Sequence, residues 1–316
     1  MRKLFVTVLL VGVTWSGKAM TQSASTVSLH GYDDCILLEN ESTRVTLSPA
    51  SGGRVLEYTL NGKNAMFLPA GNEGGLYAGR FDIGPENTIP AHPDLWAGQW
   101  TGEITGRGSA RLTSVKDPGT GVQLIRDFEL NAKSSRLTCT QIMTNVSDRP
   151  NAYCYWSRTL APGGGICVIP VTEPSRFPNS YVMYEPDNAI NFLPVDPNIR
   201  MRDGFIEIVG APKYPKVGMD TFDGWMAYVM KNDVMFVKGF PVYPDRAYNE
   251  IAGFTLAIYY PEHMCELEPI GPRESLQPGE SASFTETWVL LPHEYPAPGK
   301  QLDLQSVAAK AIAAIE

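Results

Sequence analysis

The sequence predicts a mainly β chain of large antiparallel sheets closed by one short C-terminal helix. Three observations carry that expectation. Short apolar and β-branched runs recur between turn signals, 29 glycines and 25 prolines punctuate them, and sustained heptads are absent. Helical spacing without a breaker is confined to the tail from Leu304, where Val307, Ala308, Ile312 and Ile315 recur.

The chain opens with Met1, Arg2 and Lys3, continues with an apolar run from Leu4 to Trp15, and then turns small and polar to Ser25. That run is too short to span a bilayer and is basic only on its N-terminal side, the pattern of a secretory signal. Residues 1–25 are therefore read as a signal peptide, with Ala19 an acceptable last residue before the cut. The alternatives are a buried first strand or a retained anchor. Removal of the signal implies a secreted or periplasmic protein with no membrane contact, and residues 26–316 are expected to form a single domain.

From Ile36 the elements follow in order. CILLEN, TRVTLSP and GRVLEYTLNGKN read as strands, with Asn61–Gly62 closing a hairpin. Leu68 to Gly98 reads as a long irregular loop carrying Arg80, Asp82, His92 and Trp96, with Trp100 just beyond it, and such loops are commonly functional. Further strands are expected through GEITGRG, ARLTSVKD, VQLIRDFELN and RLTCTQIMTNVSD. In the last of these Leu137, Cys139, Gln141 and Met143 alternate with Thr138, Thr140 and Ile142. Seven prolines between Thr172 and Pro215 argue against long helices and central strands there. Strands resume in GWMAYVMK, VMFVKGFPVY, FTLAIYYP, MCELEPIGP and SFTETWVLLP, the last two joined by a turn at Leu276–Glu280.

The formal net charge is −8, against the basic balance that a nucleic-acid backbone requires, so no nucleic-acid partner is expected. Five cysteines lack CxxC spacing. Cys154 and Cys167 could close a short loop in an exported protein, or all five could be buried thiols. Four histidines without ligand spacing give no zinc site, and no metal or other cofactor is assigned.

TRVTLSPASGGRVLEYTLNGKN at one end, TNVSDRP in the middle and CELEPIGPRESLQPGESASFTETWVLLP at the other resemble galactose mutarotase-like proteins, over most of Ile36 to Pro292. The resemblance is nearest to a secreted branch of that superfamily. It implies a β supersandwich with a carbohydrate site on a concave sheet. Family mutarotases interconvert sugar anomers with a glutamate base and a histidine acid, while an arginine, a second histidine and an aspartate place the sugar. The same scaffold serves glycoside hydrolases and polysaccharide lyases, so it narrows substrate class more than reaction.

Glu266 and Glu268, two apart in a strand, share one face, and crowded carboxylates raise the proton affinity of one of them. By position Glu268 matches the family base. A solvated strand face is the plainer reading. Where the family acid falls, this chain reads Tyr153–Cys154–Tyr155–Trp156–Ser157–Arg158, without histidine. Tyr155 or His92 would replace it only if the fold carries one of them across the site. Arg80 and His92 stand where the family places sugar-binding groups, unless Arg80 merely pairs with Asp82.

Arg158, Lys238 and Glu250 interrupt apolar or aromatic runs, which suits either buried pairing, as between Lys238 and Glu250, or a polar pocket able to hold an acidic sugar. Trp96 and Trp100, in a polar loop, are candidates for stacking on a pyranose. The expected function is carbohydrate binding with mutarotase-like chemistry. A lyase or hydrolase of acidic polysaccharide, or a module that only binds, are the alternatives.

Overall fold

The computed structural model describes residues 22–316 apart from 70, 72–74 and 76. The expected signal lies almost wholly outside the described residues. Two antiparallel sheets form the molecule. The first runs, in spatial order, Ser23–Leu29, Tyr32–Glu39, Thr43–Ser48, Arg54–Leu60, Gly79–Gly84, Asn151–Pro162, Met264–Pro269, Leu256–Tyr259, Lys216–Met219, Tyr181–Tyr184 and Ile190–Asn191. The second runs Ile199–Arg202, Phe205–Ile208, Ile166–Pro170, Trp225–Met230, Val234–Gly239, Ser281–Pro292, Leu137–Asn145, Val122–Leu130, Ser109–Thr113 and Thr101–Gly106.

The sheets pack face to face because alternate residues of both are apolar. Phe81 stacks on Trp288 at 5.4 Å, Tyr155 on Phe284 at 4.4 Å, and Tyr58 meets Phe236 edge-on at 5.7 Å, each pair joining the two sheets. Each fully buried side chain of this size contributes about 1.5–3 kcal/mol. Period two continues on the outer face of the second sheet. Met226, Tyr228 and Met230 face the core, whereas Trp225, Ala227 and Val229 lie under the C-terminal helix Leu304–Ile315 with its Val307, Ala308 and Ala311. Asp303 caps that helix, its Oδ1 accepting the Ser306 N–H at 3.0 Å.

Most expected elements are present. Asn61 and Gly62 take φ of 49° and 78° between Leu60 and Lys63, the left-handed pair that a two-residue hairpin needs. Leu137, Cys139, Gln141 and Met143, with Asn145 at the end, are the buried residues of their strand. Two expectations are corrected. Leu68–Gly98 is not one irregular loop: Gly79–Gly84 is a fully buried strand at the centre of the first sheet, its Phe81 and Ile83 filling the core. Ordered structure begins before residue 26, because Ser23–Leu29 pairs along Tyr32–Glu39. As the prolines imply, residues 172–215 hold no long helix and no central strand: their strands are short and lie toward the margins of both sheets, where missing ladder bonds cost little.

Candidate functional site

The face of the first sheet turned away from the core carries a cleft of about 560 Å³, within the usual range for ligand pockets. Strand alternation builds it. In Gly79–Gly84, Phe81 and Ile83 enter the core, so Arg80 and Asp82 point the other way. In Asn151–Pro162, Tyr155, Ser157 and Thr159 face inward, leaving Trp156, Arg158 and Leu160 outward. In Met264–Pro269 the inward pair is Cys265 and Leu267, and the outward set is Met264, Glu266 and Glu268. Register aligns these sets: Arg158 lies opposite Arg80, Trp156 opposite Asp82, Glu266 between Leu160 and Tyr259, and Tyr259 opposite Lys216.

The charges form one connected network. Asp82 Oδ2 takes Arg80 at 3.2 Å and lies 3.8 Å from Arg158, while its Oδ1 meets His92 Nε2 at 2.8 Å. Arg158 Nε donates to Glu266 Oε1 at 3.0 Å, and Lys216 pairs with Glu86 at the rim. Burial alone would raise the Asp82 carboxyl, but the His92 hydrogen bond and the Arg80 guanidinium prevail and hold it below the usual range. Burial opposes protonation of His92, yet its bond to Asp82 lifts it above its ordinary value.

Glu268 differs from its neighbours. It is 1% exposed; its Oε2 accepts the Trp156 indole N–H at 3.1 Å, and its Oε1 has no hydrogen-bond partner among the described residues. Burial and the adjacent Glu266 push its carboxyl well above the ordinary range, against the pull of Arg158 and Lys216. Those two cations lie 4.8 Å and 4.9 Å from the Trp156 ring. A carboxyl that holds its proton more tightly than usual is suited to giving it to a ligand oxygen.

Of the residues expected at a site, Arg80, Arg158, Glu266 and Glu268 line the cleft together. Trp96 stands beside it, its ring 5.3 Å from the Arg80 guanidinium. His92 sits behind Asp82 with both ring nitrogens engaged, Nδ1 lying 2.6 Å from the Pro90 carbonyl. Glu250 is buried behind the rim, where its Oε2 accepts the Glu86 backbone N–H at 2.9 Å and burial raises its carboxyl.

Three expected residues point into the interior. Tyr155 is on the inward face of its strand and donates to Glu286 Oε1 at 2.6 Å. Lys238, fully buried, pairs with Glu286 at 2.9 Å rather than with Glu250, and donates to Ser157, Thr159 and the Leu267 carbonyl. Trp100 is 2% exposed and packs under Arg126, whose guanidinium lies 4.3 Å from its ring. No disulfide joins Cys154 to Cys167: the five cysteines are free and buried, and Cys167 Sγ instead faces Cys265 Sγ at 3.6 Å.

Glu86, Lys216 and Tyr259 line the cleft without having been singled out from sequence. A signal exists for Lys216, since Val217 and Met219 in KVGM alternate as core residues and leave Lys216 on the opposite face. Glu86 follows Gly84–Pro85 in a turn, and nothing in its sequence context marks it.

No known sequence family matches the chain, and no curated protein matches it in sequence. Its fold does match solved structures. A galactose mutarotase-like protein from Clostridium acetobutylicum has 11% identity and a TM-score of 0.57, over 86% of this chain and 99% of that one. A galactose mutarotase-like protein from Lactobacillus casei has 11% identity and a TM-score of 0.56, over 81% of this chain and all of that one. A galactose mutarotase related enzyme from Lactobacillus acidophilus has 11% identity and a TM-score of 0.56, over 82% and 98%. The twin-sheet architecture, the order of its strands and these matches identify the chain's fold as galactose mutarotase-like.

Proposed function

We propose that the cleft binds a carbohydrate and that Glu268 exchanges a proton with it. The observation that carries this reading is a buried carboxyl, one oxygen without a hydrogen bond among the described residues and 3.9 Å from Arg158, lining a polar cleft beside Glu266. Similarity in fold to galactose mutarotase-like proteins supports a sugar as the ligand. In the reaction that suits this arrangement, Glu268 gives its proton to the ring oxygen while Glu266 takes the proton of the anomeric hydroxyl. The bond between the anomeric carbon and the ring oxygen breaks and a carbonyl forms; reclosure on the other face returns both protons. Arg158 orients Glu266 and, burial notwithstanding, is held protonated by Glu266 and Asp82, so it donates hydrogen bonds without giving up a proton. Binding without turnover is the outcome if Glu268 contacts the sugar but the ring stays closed.

Calorimetry against a panel of monosaccharides, followed by anomer-exchange measurements on those that bind, tests both halves. A panel that produces neither heat nor thermal stabilisation refutes the reading. One observation favours an acidic sugar within it: Arg80 Nε is buried without a partner in the cleft wall. Galacturonate and glucuronate should then bind more tightly than galactose and glucose, and equal affinities assign the cleft to neutral sugars.

We further propose export, on the strength of Met1, Arg2, Lys3 and the apolar run that follows. A cut after Ala19 leaves the Ser23–Leu29 strand whole, whereas a cut after Ser25 would remove its first three residues. Fractionation with N-terminal sequencing should find the protein outside the cytoplasm and beginning between residues 20 and 23, and a cytoplasmic chain beginning at Met1 overturns this.

A further inference from the structure

We propose that the ligand is an oligosaccharide rather than a free monosaccharide, with one unit over Glu268 and the next in an adjoining cleft; this rests on the sugar-binding reading above. The second cleft, of about 290 Å³, opens directly from the first, and Glu86, Lys216 and Tyr259 line both. A single pyranose over Glu268 leaves it unfilled.

Its walls have the chemistry that a second sugar needs. Tyr184 and Tyr214 contribute aromatic surface, and Asn87 and Glu185 contribute polar side chains. The Tyr184 hydroxyl is buried without a hydrogen-bond partner among the described residues, so a sugar hydroxyl placed there satisfies a group that the protein leaves unmatched. Lys216 ties the two clefts together. Its ammonium lies 4.9 Å from the Trp156 ring on the first side and 4.7 Å from the Tyr184 ring on the second. Paired with Glu86, it stands at the junction where the bond between two sugar units would pass.

Both clefts are open, so a chain could continue past the second unit. Affinity should therefore climb from one unit to two and change less beyond.

The test is calorimetric titration of the purified protein with gluco-, galacto- and galacturono-oligosaccharides of one to four units. For the recognised series, affinity should rise about tenfold or more between the first and second members. Tyr214→Ala should bring the ratio of disaccharide to monosaccharide affinity close to one. Tyr184→Phe, which removes only the hydroxyl and preserves the ring, should lower that ratio severalfold at an unchanged melting temperature. Equal affinity for one and two units overturns the oligosaccharide proposal and leaves the sugar-binding reading standing. A ratio unaffected by both variants overturns the placement of the second unit. If nothing in any series binds, both readings fall together.

Discussion

Asp82 accepts from Arg80 and His92 and faces Arg158, so three groups depend on one buried carboxylate. Removing one partner of a buried ionic cluster leaves the others uncompensated, which costs about 3–5 kcal/mol. Asp82→Asn should lose stability of that order in urea denaturation. Because its folded pKa is depressed, the contribution of Asp82 is complete above the ordinary carboxylate range and disappears as pH falls through the folded value. The variant should therefore lie furthest below wild type near neutrality and approach it in acid. Glu268 behaves in the opposite sense. Its folded pKa is raised, so its contribution is complete below the ordinary carboxylate value and is lost as pH rises through the folded one. Glu268→Gln cannot ionise and still offers an oxygen to the Trp156 indole. Its melting temperature relative to wild type should rise as pH climbs above the ordinary carboxylate range, and a fall would contradict burial as the cause of the shift.

At the scale of elements, alternation explains both what sequence revealed and what it hid. CELEP is enough to put Glu266 and Glu268 on one face, and they do share the cleft floor. WSRT and YCYW do not tell which face of their strand meets the second sheet, so Tyr155 and Arg158 look equally eligible although they point in opposite directions. That choice is made by packing across the core, where Phe284 stacks on Tyr155. The destination of Lys238 was legible in principle: Phe284, Glu286 and Trp288 alternate as buried residues in SFTETW, which marks Glu286 as a core acid in need of a cation. Glu86 comes from a turn with no periodicity to single it out, and for Lys216 the alternation of Val217 and Met219 spans a strand of only four residues. Lys238→Met should cost about 3–5 kcal/mol, because Glu286 is left buried without its cation, while sugar affinity stays as in wild type. Reduced affinity with unchanged stability would return Lys238 to the site. On the outer face of the second sheet, Asp303→Ala should destabilise by about 1 kcal/mol through the lost helix cap, read as a small shift in the denaturation midpoint.

For the whole molecule, the ends of the chain and the spacing of its turns were sufficient to anticipate two packed sheets and a terminal helix. The long-range pairing that carries Gly79–Gly84 into the centre of the first sheet leaves no local mark in a loop rich in glycine and proline. That pairing creates the site, because it sets Arg80 and Asp82 beside Trp156 and Arg158. The fold thus supplies a floor of alternate side chains from five neighbouring strands, and the proposed chemistry turns on Glu268, buried there with one oxygen that makes no hydrogen bond among the described residues. The most direct test compares wild type with Glu268→Gln at neutral pH, following by magnetisation-exchange NMR the interconversion of anomers of a sugar that the wild type binds. The account predicts that the wild type accelerates exchange and that the variant loses about a hundredfold or more of that acceleration with no loss of melting temperature. Equal exchange rates from the two proteins would contradict it.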